Sequence, residues 1–95
     1  MKNYELVTII SPEVDDEGVI GVVDKMNQLI SGKEGVVEET ERWGMKKLAY
    51  PIKRFMEGNY MVTHFKLEPK FIKELEINLR ASEEVLRHLV VKVGN

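Results

Sequence analysis

The chain has 95 residues, 43% of them hydrophobic and 32% charged, with no cysteine and a net charge of −2. That length suits one domain with a single core, and the composition excludes a disordered chain. The absence of cysteine excludes disulfides, zinc–thiolate sites and cysteine nucleophiles. The apolar run before Pro12 is too short for the hydrophobic region of a signal peptide. No stretch approaches the roughly 20 apolar residues that span a bilayer, so a soluble, cytoplasmic protein with no membrane partner is expected.

Leu6-Val7-Thr8-Ile9-Ile10 reads as a first strand, ended by Ser11-Pro12. Val7 and Ile9 point away from Leu6, Thr8 and Ile10, so both faces are partly apolar, as in an inner strand. Asp15 or Asp16 caps a helix whose acidic first turn suits the positive end of its dipole. Val19, Val22, Val23, Met26, Leu29 and Ile30 recur at helical spacing, and Gly32 and Gly35 close the helix. Val36 to Ile52 reads as a long strand, bulged or bent at Gly44. Pro51 has no N–H for a ladder, which places that strand at a sheet edge. In its second half Leu48, Tyr50 and Ile52 form the core-facing side. Glu57-Gly58-Asn59 supply a turn, and Tyr60 to Leu67 return as a hairpin strand. Pro69 opens a second helix with Ile72, Leu75 and Leu79 as its stripe and Phe71 alongside. Val85 to Val93 is the last strand; consecutive Leu89, Val90 and Val91 leave its buried face open.

The order is β-α-β-β-α-β. Right-handed crossovers put the first and third strands at the centre and the second and fourth at the edges. The fold class is therefore α+β, a ferredoxin-like split β-α-β in one domain over residues 1–95. A four-stranded antiparallel sheet carries two helices on one face.

Charge is distributed unevenly over this frame. Residues 1–41 carry three basic side chains against ten acidic ones; residues 42–95 carry eleven against six. Between Arg42 and Arg54 stand five cations and two aromatics without an acid. Such a stretch suits two uses. Lysines on an edge strand ward off edge-to-edge pairing. Alternatively, Arg42, Lys46, Lys47, Lys53 and Arg54 neutralise a phosphate backbone while Trp43 stacks on an unpaired base. A second basic set comprises Arg80, Arg87, His88 and Lys92, with Lys2 on the neighbouring first strand. Strand periodicity sets Arg87 apart from His88 and Lys92.

Catalytic readings are poor. His64 and His88 lie within strands, and Ser11, Ser31 and Ser82 lack the G-x-S-x-G context. Glu38, Glu39 and Glu41 read as a solvated face, since no histidine stands at a metal-ligand spacing from them. No phosphate-binding glycine motif occurs, nor an arginine-bearing glycine loop of the acylphosphatase type. No enzyme activity, metal, cofactor or small-molecule substrate is expected.

One segment carries a more specific signal. Trp43-Gly44, two basic residues, then Leu48-Ala49-Tyr50-Pro51-Ile52 resembles the signature of bacterial small ribosomal subunit protein six. Tyr4-Glu5 on the first strand, Pro12 at its end, and Leu79-Arg80 through Val85-Leu86-Arg87 into Val90-Val91-Lys92 extend the likeness over about residues 2–93. The resemblance implies the fold reached above and a non-catalytic role: binding small-subunit ribosomal RNA as a pair with ribosomal protein eighteen of the same subunit. The helix-free sheet face then becomes the working surface. Val7 and Ile9 offer an apolar patch to the partner, and Glu38, Glu39 and Glu41 complement its positive charge. Two departures stand out. Lys2-Asn3 replaces the pair of basic residues with which family members often begin. Many members also carry a tail beyond the last strand, whereas this sequence stops at Asn95, so a contact made by such a tail is expected to be missing or replaced. The alternative is a ferredoxin-like dimeric regulatory module that binds a small metabolite, with the basic strand serving only as edge protection.

Overall fold

The hydrophobic periodicities resolve into two helices laid on one face of a sheet. The computed structural model describes residues 1–94; Asn95, where the expectation about a tail falls, lies outside them. In chain order the elements are β1 (Lys2–Ile10), α1 (Asp16–Gly32), β2 (Val36–Ile52), β3 (Phe55–Leu67), a 3-10 turn (Pro69–Phe71), α2 (Ile72–Ala81) and β4 (Val85–Val93). All pairings are antiparallel, in the order β2-β3-β1-β4. The strand bearing Pro51 is therefore at an edge, as its missing N–H requires.

Alternation along the two central strands builds the core. Leu6, Thr8 and Ile10 of β1 are fully buried toward the helices, together with Met61, Thr63, Phe65 and Leu67 of β3. Val19, Val22, Met26 and Ile30 of α1 and Leu75 and Leu79 of α2 close over them. Tyr4 stacks on Phe65 with ring centroids 5.5 Å apart. The Thr8 hydroxyl, buried among these apolar groups, donates toward Met26 Sδ at 3.7 Å. On β4 the ambiguity between consecutive apolar residues is settled: Val90 packs against the core, while Leu89 and Val91 stand exposed on the other face.

Helix α1 begins as its sequence implies, with an Asp15 carboxylate oxygen accepting from the Gly18 N–H at 2.8 Å. It closes over Gly32 and Gly35 as expected, but neither glycine takes the left-handed position. Gly32 stays helical, and the left-handed position falls on Glu34, with φ of 63°. The Gly35 N–H donates to the Ile30 carbonyl at 2.9 Å and the Glu34 N–H to that of Ser31 at 3.0 Å. Those two bonds are the helix-terminating pair that normally surrounds a glycine.

The hairpin also differs. Its turn lies at Lys53–Arg54, not at Glu57-Gly58-Asn59, and β3 starts at Phe55. The Arg54 N–H donates to the Ile52 carbonyl at 2.9 Å, which closes a tight γ-turn on Lys53 at φ of 54°. Gly58 and Asn59 read as turn residues but lie within the strand. Gly58 is there because Ile9 fills the space that a Cβ would need. Asn59 is buried between its pairing partners Ile10 and Met45.

Truncating Phe65 to alanine should lower stability by about 3–5 kcal/mol, measured by urea unfolding, since the ring is fully buried and cannot be replaced by water. Glu34→Gly and Lys53→Gly should each raise stability by about 1 kcal/mol, because glycine removes the cost of a side chain in left-handed backbone. Unchanged unfolding midpoints in both would contradict that backbone geometry.

Candidate nucleic-acid interface

The pairing of β1 with β3 stops at Ile10 opposite Asn59, yet β2 and β3 continue. Residues 45–58 consequently project as a two-stranded arm beyond the sheet. The basic stretch lies on this arm and at its root. Pairing of Arg42 with Met61 and Gly44 with Tyr60 leaves Trp43 as an extra residue, made possible by Gly44 at φ of 85°. The bulge turns Trp43 outward, 50% exposed. Lys46 Nζ lies 5.3 Å from the centre of the indole, within cation–π range.

The cations of the stretch are not equivalent. Arg42 Nη2 is 2.8 Å from Asp16 Oδ1 at the start of α1, and Arg54 Nη2 is 3.5 Å from Glu13 Oε1. The Arg54 guanidinium also rests 5.0 Å from the centre of the Phe55 ring. Among the described residues Lys46, Lys47 and Lys53 form no ion pair. These three lysines are therefore the cations most available to an external phosphate.

Tyr50 departs from its expected place. Grouped with Leu48 and Ile52 as core-facing, it is instead 55% exposed, whereas Leu48 and Ile52 are half-buried. Its hydroxyl accepts a hydrogen bond from Arg87 Nη1, and the Arg87 guanidinium lies 5.7 Å from its ring centre. A tyrosine satisfies both halves of such a contact, ring and hydroxyl, so it gains little from burial. Arg87, two strands away from β3 in the sheet order, thereby joins the arm.

The rest of the second basic set is dispersed. His88 faces the helices, its Nε2 3.6 Å from a Glu76 carboxylate oxygen, and its side chain is 13% exposed. That burial leaves it little surface for RNA. Lys92 pairs with Tyr4 toward the other end of β4, Arg80 is exposed on α2, and Lys2 begins β1 at the end away from the arm. These residues share no single surface with the arm.

The helix-free face combines apolar and acidic groups. Val7 of β1 is half-buried there, and Leu89, Val91 and Val93 of β4 are exposed beside it. Ile9 lies on this face but is only 8% exposed, because β3 packs against it at Gly58. It therefore contributes little to a partner patch. Glu39 and Glu41 flank His64, while Glu38 bulges out of register and its carboxylate lies 3.7 Å from Lys66 Nζ. Among the described residues no helix is long and apolar enough to cross a membrane.

Comparisons with known proteins agree with this geometry. The family model described as ribosomal protein S6 matches residues 3–92. The small ribosomal subunit protein bS6 of Moorella thermoacetica is 38% identical over 93 residues, covering 98% of this chain and 95% of that protein. Its counterpart from Clostridium novyi is 40% identical over 91 residues, covering 96% of each. The crystal structure of 30S ribosomal protein S6 from Thermotoga maritima matches with a TM-score of 0.91 at 33% identity, covering 97% of this chain and 87% of that one. The regulatory-module alternative gives way to these matches over nearly the full length. With its fold and its sequence pointing the same way, the chain belongs to the ribosomal protein S6 family, structural proteins of the small ribosomal subunit.

Proposed function

We propose that this protein binds small-subunit ribosomal RNA through the basic arm, while its helix-free sheet face holds ribosomal protein eighteen of the same subunit. The observation that carries the reading is the arm itself: a ribbon projecting beyond the core, bearing three lysines without carboxylate partners and an outward-turned tryptophan. Lys46, Lys47 and Lys53 dock phosphates, and Trp43 offers an aromatic face to an unpaired base. Arg42 and Arg54 are held by acids and serve mainly to orient the arm. On the sheet, Val7, Leu89 and Val91 meet the partner's apolar side chains, and Glu39 and Glu41 complement its basic ones.

Net negative charge opposes RNA binding by the chain alone, so affinity rises when a basic partner covers the acidic face. Titration of a ribosomal RNA junction fragment should show tight binding for the protein pair and weak binding for the single chain. Equal affinity in both would sink the pairing.

Charge reversal at Lys46 and Lys47 should weaken RNA binding by the pair. It should also flatten the salt dependence, by roughly 0.7–0.9 log units per lost contact. Arg42→Gln should change that slope less than Lys47→Gln does, because Asp16 already holds the Arg42 guanidinium. A larger effect at Arg42 would place the phosphate at the root of the arm instead.

A further inference from the structure

Sheet register gathers side chains that are far apart in sequence. His64 on β3 stands directly opposite Glu39 of β2 on one side and Glu5 of β1 on the other. Glu41, two residues beyond Glu39, shares their face. His64 Nε2 is 3.0 Å from Glu41 Oε2, and Nδ1 is 3.7 Å from Glu5 Oε2. One ligating atom from each of Glu39, Glu41 and His64 lies within 4.8 Å of the other two. The local spacing of the glutamates in sequence gives no hint of this, because the imidazole arrives from the next strand.

The arrangement contains more acceptors than donors. Like charges side by side on one sheet face destabilise it. Here three carboxylates surround one imidazole, and Lys66, next along that face of β3, is engaged by Glu38. A neutral imidazole has one N–H and one lone pair. The 3.0 Å contact is a hydrogen bond that puts a proton on Nε2, toward Glu41. A metal ion in that proton's place would meet the Nε2 lone pair and the Glu39 and Glu41 oxygens, with the remaining proton on Nδ1, toward Glu5. A carboxylate that fixes a histidine through one nitrogen while the other meets a metal is a recurring feature of protein metal sites.

We propose that Glu39, Glu41 and His64 Nε2 bind a divalent transition metal ion of the zinc type, with Glu5 orienting the imidazole through Nδ1–H. One nitrogen and two carboxylate oxygens leave a fourth tetrahedral position open to water. Metal–ligand bonds of roughly 2.0–2.2 Å place tetrahedral ligands about 3.4 Å apart. The Glu41–His64 separation is already shorter, and glutamate rotation brings Glu39 in. Imidazole with carboxylates favours zinc over magnesium, which binds through oxygen and retains its water. The proposal does not rest on RNA binding and concerns the isolated chain, in which no partner covers Glu39 and Glu41.

The test is titration of the chelator-treated full-length protein with zinc chloride by calorimetry, with thermal unfolding in parallel. One equivalent should bind, magnesium chloride should not substitute, and the unfolding midpoint should rise with zinc. His64→Gln, and separately Glu39→Gln with Glu41→Gln, should abolish the saturable step. Glu5→Gln should weaken it by about 10–100-fold, as loss of an orienting partner does. Glu38→Gln should leave it unchanged. If a proton rather than a metal joins these groups, no one-to-one zinc binding appears. That result, or full zinc affinity in His64→Gln, would overturn the proposal.

Discussion

Pairing between β1 and β3 ends at Ile10 opposite Asn59, and that limit shapes the rest of the molecule. Up to this point each strand of the centre is covered on both edges, and alternation alone sorts side chains between the helices and the open face. Beyond it β2 and β3 have only each other. Ser11 and Pro12 take β1 out of the sheet, with the Ser11 N–H donating to the Glu84 carbonyl. The chain then turns into α1, whose acidic start meets Arg42 at the root of the arm. The same event therefore creates the arm and supplies an anchor for it.

A two-stranded ribbon is marginal in water without a third strand or a packed face. This arm has neither along its outer half, so side-chain ties must hold it. They are Ile9 against Gly58, Arg87 with Tyr50, Arg42 with Asp16 and Arg54 with Glu13. The polar ties are exposed, and exposed ion pairs contribute only ~0–1 kcal/mol each. They orient the ribbon without fixing it rigidly.

What could be read without coordinates follows from what periodicity encodes. The stripes of both helices and the outward face of Val7 depend on spacing along one element. The edge position of β2 follows from the missing N–H of Pro51, and the strand order from the handedness of the crossovers. The errors share a different origin. Glu57-Gly58-Asn59 has the composition of a turn, but Gly58 answers to the bulk of Ile9 on another strand. Gly35 ends α1 as read, but it is required by the close approach of Lys66 and Leu67 on β3, and Glu34 takes the left-handed position. Tyr50 fits an apolar alternation and is drawn out by Arg87, far along the chain. Ile9 is correctly assigned to the open face and is nonetheless almost buried. In each case a partner from elsewhere decides, and a single sequence does not carry the register that selects it. His64 is the clearest example: nothing near it in sequence marks it, and three carboxylates surround it only through pairing.

The separation of charge is the property that follows most directly from this architecture. An overall −2 understates it, since Lys46, Lys47 and Lys53 lie on the projecting ribbon while Glu5, Glu39 and Glu41 lie on the sheet. At physiological ionic strength charges are screened over about 8 Å, so each surface acts largely through its own local field. A polyanion approaching the ribbon meets the lysines before it meets the sheet. Neutralising the sheet, by a basic protein or by a bound cation, would remove the remaining repulsion without altering the ribbon. If RNA and a basic partner bind as proposed, the two surfaces would be coupled through electrostatics alone, with no conformational change required, and the coupling would weaken as salt rises. A mechanical link through the arm would predict the opposite: coupling that persists at high salt and disappears when the Arg87–Tyr50 contact is removed.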